Sequence, residues 1–333
     1  ALVVSAMNPE EFIGEGNFAS HAATYLGLAR TPSLRAETAT SSGAAALFTA
    51  FTAVVAGVYR SVLVVGGEKM THLPTPRVSE LISRSIDPYE RSYGATMPAL
   101  AGLVTRAWMG RTGATLKEVS LVAVKNHANA ARNPWAHFQE PVALETVMSS
   151  RLVADPLRLF HCCPISDGAA ALVVVAAPAP VRIAGIGQGS DYLALRYRES
   201  FVGFRASQEA ARVAYRMAGF GPERVDVAEL HDAFTPFELI SMEDVGLAPP
   251  GKATRMLVHG ETALDGRLPV NPSGGLKARG HPLGATGLAQ VVELFWQLTG
   301  QATGRQVQAK VGLAHSIGGL ATTNWVTLLE AVN

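Results

Sequence analysis

The sequence predicts an α/β protein made of two similar halves, each with a five-stranded sheet and helices packed on it. Three observations predict this fold class. Apolar strand-like stretches alternate with helical stretches along most of the 333 residues. The order of these stretches in the second half recurs, in part, in the first half. Apolar residues make up 48% of the chain, enough for a large buried core.

The second half, residues 179–333, contains the complete repeat. Its strand-like stretches are apolar and are followed by turns rich in Gly, Asn or Asp. Its helical stretches have apolar residues at three- and four-residue spacing, or many small residues. The predicted strands are 181–191, 225–234, 268–275, 309–319 and 322–330, and the predicted helices are 207–221, 236–247 and 282–300.

The first half, residues 1–178, follows the same order but begins part-way through it. The predicted strands are 1–7, 33–43, 61–70 and 169–177, and a helix is predicted over 44–59. No stretch matches the first strand and helix of the second half, so roughly forty residues are expected to be missing. A natural truncation is the alternative, although it would leave a strand edge unpaired. Residues 71–168 have no counterpart and are predicted to form an inserted loop subdomain, a lid or substrate-binding wall.

Composition narrows the function classes. The formal net charge is +1 with acids and bases interspersed, which argues against a nucleic-acid partner. No apolar run approaches the ~20 residues of a membrane helix. Two adjacent cysteines, Cys162 and Cys163, cannot form a disulfide framework, and no His/Cys cluster has metal-ligand spacing. These features predict a cytoplasmic protein without a metal, nucleic-acid or membrane partner.

Four loops are predicted at one edge of the two sheets, where α/β proteins usually bind ligands. They are 40–43 ("TSSG"), 231–234 ("HDAF"), 271–287 ("NPSGGLKARGHPLGATG") and 315–319 ("HSIGG"). Their glycines allow tight turns, and their histidines are the side chains that titrate nearest to neutral pH. This edge is therefore the predicted functional site.

Three segments resemble the thiolase superfamily. "NPSGGLKARGHPLGATGLAQ" resembles its Gly-His-Pro signature, while "HDAFTPFELISMEDVGL" and "CCPISDGAAALVV" resemble the sterol-carrier-protein type thiolases. The resemblance covers essentially the whole chain. It implies two pseudo-symmetric mixed sheets with helices in αβαβα layers and a homodimer or higher oligomer. It also implies a coenzyme A thioester as substrate, no tightly bound cofactor, and a small OB-fold/zinc-ribbon protein as a partner.

The resemblance places three other residues where thiolases have catalytic cysteines. The position of the nucleophilic cysteine holds Thr40, and the two alternative positions of the second cysteine hold Ala233 and Ser316. A threonine hydroxyl titrates far above a thiol, so a Thr40 nucleophile would need a base such as His281 to take its proton. The other interpretations of Thr40 are a residue that shapes the acyl pocket and a helix N-cap.

The remaining parts of the thiolase site are present in the sequence. His281 and His231 match the imidazoles that form one oxyanion hole together with a water. The backbone N–H groups of Thr40 and Gly318 match the second oxyanion hole. This set of donors would stabilise an enolate beside a thioester even without a thiol nucleophile.

Several further residues are candidates for the site or its surroundings. Cys162 and Cys163 are interpreted as small core residues, and a thiol inside the cavity would count against a thiol-free mechanism. Other acids and bases are Asp232, Tyr93 and Glu68. The basic residues predicted to contact coenzyme A phosphates are Lys277, Arg279, His127 and Arg132.

Two functions from different classes are therefore expected. The first is an acyl-CoA-handling enzyme that transfers acyl groups, or makes or breaks a carbon–carbon bond beside the thioester. The alternative is a non-catalytic acyl-CoA-binding or scaffold subunit, motivated by the three missing thiols. Lipid or sterol carriage ranks third, because it depends only on the name of the related branch.

Overall fold

Two four-stranded mixed sheets form the frame of the protein in the computed structural model, which describes residues 1–332. The first sheet has the strand order β2-β1-β3-β6 and the second has the order β7-β10-β9-β8, and β4 and β5 form a small hairpin. The strands are β1 (Leu2–Ser5), β2 (Ser33–Ala36), β3 (Ser61–Glu68), β4 (Leu152–Ala154), β5 (Leu157–Arg158), β6 (Gly168–Val175), β7 (Val181–Ser190), β8 (Val227–Glu229), β9 (Val311–Gly318) and β10 (Thr323–Ala331).

Helices cover both sheets and fill most of the insertion. None of them, within residues 1–332, combines the length and apolar composition needed to span a bilayer. The helices are α1 (Pro9–Phe12), α2 (Phe18–Tyr25), α3 (Ser42–Val55), α4 (Thr75–Ser83), α5 (Pro88–Ser92), α6 (Met97–Thr112), α7 (Leu116–Ala130), α8 (Leu144–Ser149), α9 (Arg205–Ala218), α10 (Thr235–Asp244), α11 (Ala253–Val258), α12 (Gly275–Ala278) and α13 (Leu283–Leu298).

The two sheets are related by the repeat seen in the sequence. Strand β1 runs parallel to β3, which pairs antiparallel with β6. In the same way β8 runs parallel to β9, which pairs antiparallel with β10. Helices α3 and α13 pack against each other between the sheets, while α2 and α9 cover the outer faces. The predicted αβαβα layering is confirmed.

The predicted number of strands is wrong for the second sheet. Residues 268–275 were expected to form a fifth strand, but only Val270 pairs, in a single bridge to Ala228. Pro269 has no N–H to donate, and Asn271 has a φ of 55°, which turns the backbone out of the sheet. The segment therefore lies beside the middle residue of β8 in one parallel bridge and then turns away, instead of forming a fifth strand.

The first sheet also has four strands, because β6 is its edge. Among residues 1–332, β6 pairs only with β3, whereas its counterpart β10 pairs with both β9 and β7. Some apolar side chains of β6 are therefore exposed to solvent; Val173, for example, is 58% exposed. Within residues 1–332, the first sheet thus has no counterpart of β7.

The insertion is more ordered than a loop subdomain. Residues 71–168 contain helices α4 to α8 and the β4–β5 hairpin. Local signals explain the helices: the Thr96 hydroxyl caps α6 by accepting from the Ala99 N–H, and Thr115 and Glu118 form a capping box at the start of α7. The sequence pattern Thr-x-x-Glu was therefore a readable helix signal.

Close packing of α9 on β7 gives a stability test. A Cβ added at Gly187 would lie 2.1 Å from the carbonyl oxygen of Ala210 and 2.7 Å from the amide nitrogen of Ala214. The Gly187→Ala variant is therefore expected to lower the free energy of unfolding by about 1–3 kcal/mol, because the helix must move away from the sheet. Urea denaturation measures this change.

The matched control is Gly110→Ala in α6, where an added Cβ meets no atom within 4 Å. Alanine is the better helix former, so this control should be neutral or more stable by up to ~1 kcal/mol. Equal unfolding midpoints for the parent and Gly187→Ala would show that α9 does not pack on β7 as described.

Candidate active site

A cavity of about 160 Å³ lies where the predicted loops meet the insertion. Each half of the repeat contributes, with Thr40 from the first half and His231, His281 and Gly319 from the second. Most of the remaining wall is apolar and includes Met70, Ile82, Met97, Phe234, Phe237 and Leu283. An apolar wall of this kind strengthens electrostatic interactions inside the cavity because it keeps the local dielectric low.

His281 and His231 face each other across this cavity. Their ring centroids are 4.9 Å apart and the ring planes are almost perpendicular, at 88°. Both side chains are buried, and His281 is only 4% exposed. The structure therefore brings the two predicted imidazoles together. Their chemical roles stay predictions.

The hydrogen bonds of the Thr286 hydroxyl bear on the tautomer of His281. The Thr286 hydroxyl lies 3.0 Å from the carbonyl oxygen of Pro282 and 2.7 Å from His281 Nδ1, and when it donates to the carbonyl it accepts from His281 Nδ1. The Nε2 atom of His281 then carries the lone pair. Burial, together with the nearby Arg279 charge, lowers the pKa of His281 to about 3. His281 is therefore a neutral imidazole in either tautomer, and its role as an oxyanion donor stays a prediction.

His231 has a different environment. Its Nδ1 atom is buried and meets no hydrogen-bond partner in the described part of the chain. Burial and the adjacent His281 ring hold the pKa of His231 well below its usual value. A neutral His231 still carries one N–H, so it can donate a hydrogen bond to an oxygen in the cavity.

Thr40 connects the two halves of the protein. Its hydroxyl donates to the carbonyl oxygen of Ile317 at 2.7 Å and accepts from the Gly319 N–H at 3.2 Å. The hydroxyl proton is thus directed to a backbone carbonyl and not to an imidazole. The N-cap interpretation is wrong, since Ser41 occupies the N-cap position of α3. The contacts support the interpretation of Thr40 as a residue that shapes the pocket.

The predicted second oxyanion hole lies at the same junction. A Cβ on Gly318 would be 2.5 Å from both Ser41 Oγ and the Thr38 carbonyl oxygen. Only glycine at this position therefore lets the end of β9 approach the turn before α3. The Gly318 N–H makes a long contact of 3.4 Å with Asn324 Oδ1, and it is the neighbouring Gly319 that lines the cavity. The role of the Thr40 and Gly318 amides stays a prediction.

The two alternative positions of the second cysteine differ in the structure. Ala233 lines the cavity, whereas Ser316 lies in β9 and is not one of the lining residues. The Ser316 hydroxyl is buried, and no partner for it lies within residues 1–332. Of the two positions, the structure therefore brings only that of Ala233 to the cavity.

Cys162 and Cys163 pack against the main hydrophobic cluster, in agreement with their interpretation as core residues, but they also line the cavity. Both line the cavity with the imidazoles, held there by a hydrogen bond from the Cys163 N–H to the Ala233 carbonyl oxygen at 2.9 Å. Burial raises the pKa of the Cys162 thiol to about 11 and that of Cys163 to about 12. They are neutral thiols near pH 7, and a neutral thiol is a poor nucleophile. Thiols are thus present in the cavity, which counts against the predicted thiol-free mechanism, although burial keeps both of them in the neutral form.

The four basic residues predicted to contact coenzyme A phosphates do not form one surface. Arg132 is exposed, whereas His127 is buried and donates from Nδ1 to the Glu140 carbonyl oxygen at 3.1 Å. Arg279 is directed to Glu229 at 3.5 Å. Lys277 is 3% exposed, with Nζ 5.3 Å and 5.4 Å from the centroids of the Phe138 and Phe160 rings. The sequence pattern missed this inward orientation, and the phosphate contacts stay a prediction.

The other acid–base candidates lie outside the cavity lining. Tyr93 is 77% exposed. Glu68 is buried and accepts from the N–H groups of Met7 and Gly284, and burial raises its pKa to about 7. Asp232 accepts from the Leu276 N–H. Thr286, the hydrogen-bond partner of His281, was not predicted as a site residue, although it lies only five residues after His281 in the same motif. Within the described residues, no three His, Cys, Asp or Glu side chains group as a metal site.

Comparison with known protein families agrees with the fold. Residues 1–178 match the thiolase N-terminal domain, and residues 187–331 match the thiolase C-terminal domain-like family. The chain belongs to the thiolase superfamily, in the branch of the sterol-carrier-protein type thiolases.

Individual relatives show the range of this branch. An acetyl-CoA acetyltransferase of Methanothermobacter thermautotrophicus is 41% identical, over 97% of this chain and 86% of the relative. Sterol carrier protein 2 of Bos taurus is 37% identical, over 88% of this chain and 57% of the relative. A solved structure described as an Ltp2-ChsH2(DUF35) aldolase has a TM-score of 0.83 and 25% identity, covering 99% of this chain and 86% of that chain.

The state of the cavity thiols can be tested by alkylation. Because burial raises their pKa values to about 11 and about 12, roughly one thiol in a thousand or fewer is a thiolate at pH 8. Iodoacetamide should therefore modify the native protein slowly at pH 7 to 8 and faster as the pH rises. Peptide mass spectrometry follows Cys162 and Cys163 separately. The urea-unfolded protein is the control and should react like an ordinary thiol with pKa near 8.5. Fast modification of either native cysteine at pH 7 would contradict the neutral-thiol description.

Proposed function

We propose that the protein is an enzyme that makes or breaks a carbon–carbon bond beside a coenzyme A thioester, without forming a covalent acyl–enzyme. One observation carries the proposal: the neutral His281 and His231 imidazoles lie in contact in an apolar cavity, and a hydrogen bond donated from His281 Nδ1 to Thr286 would leave His281 Nε2 free. This arrangement supplies a base and a hydrogen-bond donor, which are the two groups that enolate chemistry needs.

The residues would divide the chemistry as follows. In the cleavage direction His281 Nε2 removes the proton of a β-hydroxyl group, the carbon–carbon bond breaks, and the electrons form an enolate on the thioester. The His231 N–H donates to the enolate oxygen, and a proton then returns to the α-carbon. In the synthetic direction His281 instead removes the α-proton of the thioester. The apolar wall strengthens the hydrogen bond to the enolate oxygen.

Acyl transfer through Thr40 is less well supported than this enolate chemistry. A Thr40 nucleophile would have to give up its hydrogen bond to Ile317 and reach a base that it does not contact. Among similar proteins, one is described as an acetyl-CoA acetyltransferase and another as an aldolase, so the superfamily includes both kinds of reaction. The Thr40 contacts favour the aldolase type for this chain.

The second candidate is a non-catalytic acyl-CoA-binding or scaffold subunit. The observation that favours it is that both cavity thiols are neutral and the Thr40 hydroxyl is held by backbone groups. The similar aldolase structure is described with a second protein, which supports the proposal of an OB-fold/zinc-ribbon partner. The homodimer, the cytoplasmic location and this partner remain predictions.

The role of His281 is tested by replacement with alanine. His281→Ala is expected to lower kcat for retro-aldol cleavage of β-hydroxyacyl-CoA substrates by about 10²- to 10⁴-fold, since a general base is lost. Acyl-CoA binding, measured by calorimetry, should change little. The control is His259→Ala, because His259 is exposed at the end of α11. Equal rates for His281→Ala and the parent would remove His281 from the mechanism. Acyl-CoA binding by the parent without any turnover would support the scaffold subunit instead.

The role of Thr40 is tested by Thr40→Val, which keeps the shape of the side chain and removes its hydroxyl. The loss of the contacts with Ile317 and Gly319 should lower the free energy of unfolding by about 1–2 kcal/mol. The kcat should fall less than tenfold, because the hydroxyl does not react. Acid quenching of the parent during turnover should yield no acyl adduct by mass spectrometry. An adduct on Thr40, or complete loss of activity in Thr40→Val, would assign a covalent role to this residue.

A further inference from the structure

Asp232, the residue after His231, is fully buried and holds the segment that leads to His281. Its Oδ1 atom accepts from the Leu276 N–H at 2.6 Å, and its Oδ2 atom accepts from the Lys277 N–H at 3.3 Å. Both amides belong to helix α12, which ends three residues before His281. One carboxylate therefore joins the loop of one imidazole to the loop of the other.

A second carboxylate supports the same pair of loops. Glu229 ends strand β8, two residues before His231, and is also fully buried. It accepts from the Ser273 N–H at 3.0 Å and from the Ser273 hydroxyl at 2.7 Å, and Arg279 lies 3.5 Å away. Glu229 thus contacts both ends of the segment 273–279, and Asp232 holds its middle.

The far side of Asp232 is held by the insertion. Asn126 on α7 donates to Asp232 Oδ2 at 2.6 Å and to Glu238 Oε2 at 2.9 Å. Glu238 also accepts from Asn271 at 2.7 Å and forms an ion pair with Lys125 at 3.1 Å. The network is buried, so an unmatched donor or acceptor within it is costly. Asp232 consequently has little freedom to move without breaking several bonds.

We propose that Asp232 is a positioning residue that sets the spacing and orientation of the His231 and His281 rings. Asp232 does not line the cavity, so it acts through the loops and not on the substrate. Catalytic groups must be held within about 0.5 Å of the productive geometry, and a misplacement of about 1 Å can cost about 100-fold in rate. The proposal depends on the proposed function only for its kinetic readout.

The variant Asp232→Asn is the direct test. An asparagine can still accept from the Leu276 N–H, but its amide group would then face two donors, Asn126 Nδ2 and the Lys277 N–H. The loops should shift relative to each other although the side chain keeps its size. We expect the imidazole ¹⁵N signals of His231 and His281 to move. We also expect kcat to fall by about 100-fold with KM changed less than threefold.

The matched control is Asp226→Asn at the opposite end of β8. Asp226 Oδ2 also accepts from two backbone N–H groups, those of Lys310 and Val311, at 2.8 and 2.9 Å. Both variants should lower the urea midpoint, but Asp226→Asn should leave kcat and both imidazole signals unchanged. If Asp232→Asn does not fold, Asn126→Ala removes one of its bonds and should move the same signals by a smaller amount.

The outcomes separate this inference from the proposed function. Unchanged imidazole signals in a folded Asp232→Asn, or in Asn126→Ala when Asp232→Asn does not fold, would overturn the positioning role. Equal displacement of the signals in Asp226→Asn would also overturn it, since the effect would then be general. In a third result, the imidazole signals move in Asp232→Asn or Asn126→Ala but not in Asp226→Asn, while the parent protein shows no turnover. That result would support the positioning role and count against the proposed enzyme.

Discussion

The hydrogen bond between His281 Nδ1 and Thr286 Oγ1 determines what chemistry the cavity can perform. When the Thr286 hydroxyl donates to the Pro282 carbonyl, the imidazole donates from Nδ1, and its Nε2 atom is left as an acceptor. Burial keeps the ring neutral, so this acceptor is present at physiological pH. If the Thr286 hydroxyl donated to His281 Nδ1 instead, His281 Nε2 would carry the proton. The same two rings, 4.9 Å apart, could then form an oxyanion hole.

The cavity exists only where the repeated halves and the insertion meet. Thr40 brings the start of α3 against the end of β9, and the two imidazoles come from loops of the second half. The two thiols belong to the insertion. The insertion also contains Asn126, which donates a hydrogen bond to the buried carboxylate of Asp232. The same contacts that close the core thus determine the distances between the reacting groups, so stability and function are coupled at this junction.

Regular elements were the most predictable part of the fold. Helix α9 and strands β7 and β10 lie within a few residues of their predicted positions, because their apolar spacing is continuous and their ends carry Gly or Pro. The strand predicted at 268–275 is absent because Pro269 lacks an N–H and because Asn271, which contacts Leu230 and Glu238, has a left-handed backbone. The helices of the insertion were missed although the capping box of Thr115 and Glu118 is local, because the Pro- and Gly-rich surroundings suggested loops.

The sequence by itself determined which chemical groups are available: two imidazoles in Gly-rich loops, a threonine before α3, and two adjacent thiols. It also determined the superfamily, because motif residues are adjacent along the chain. Only the tertiary structure decided that Cys162 and Cys163 enter the cavity as neutral thiols and that Lys277 is turned toward two phenylalanine rings. Tautomer, pKa and orientation depend on burial and on partners that are far away in the chain, such as Asn126 and Asp232, and no local pattern specifies those distances.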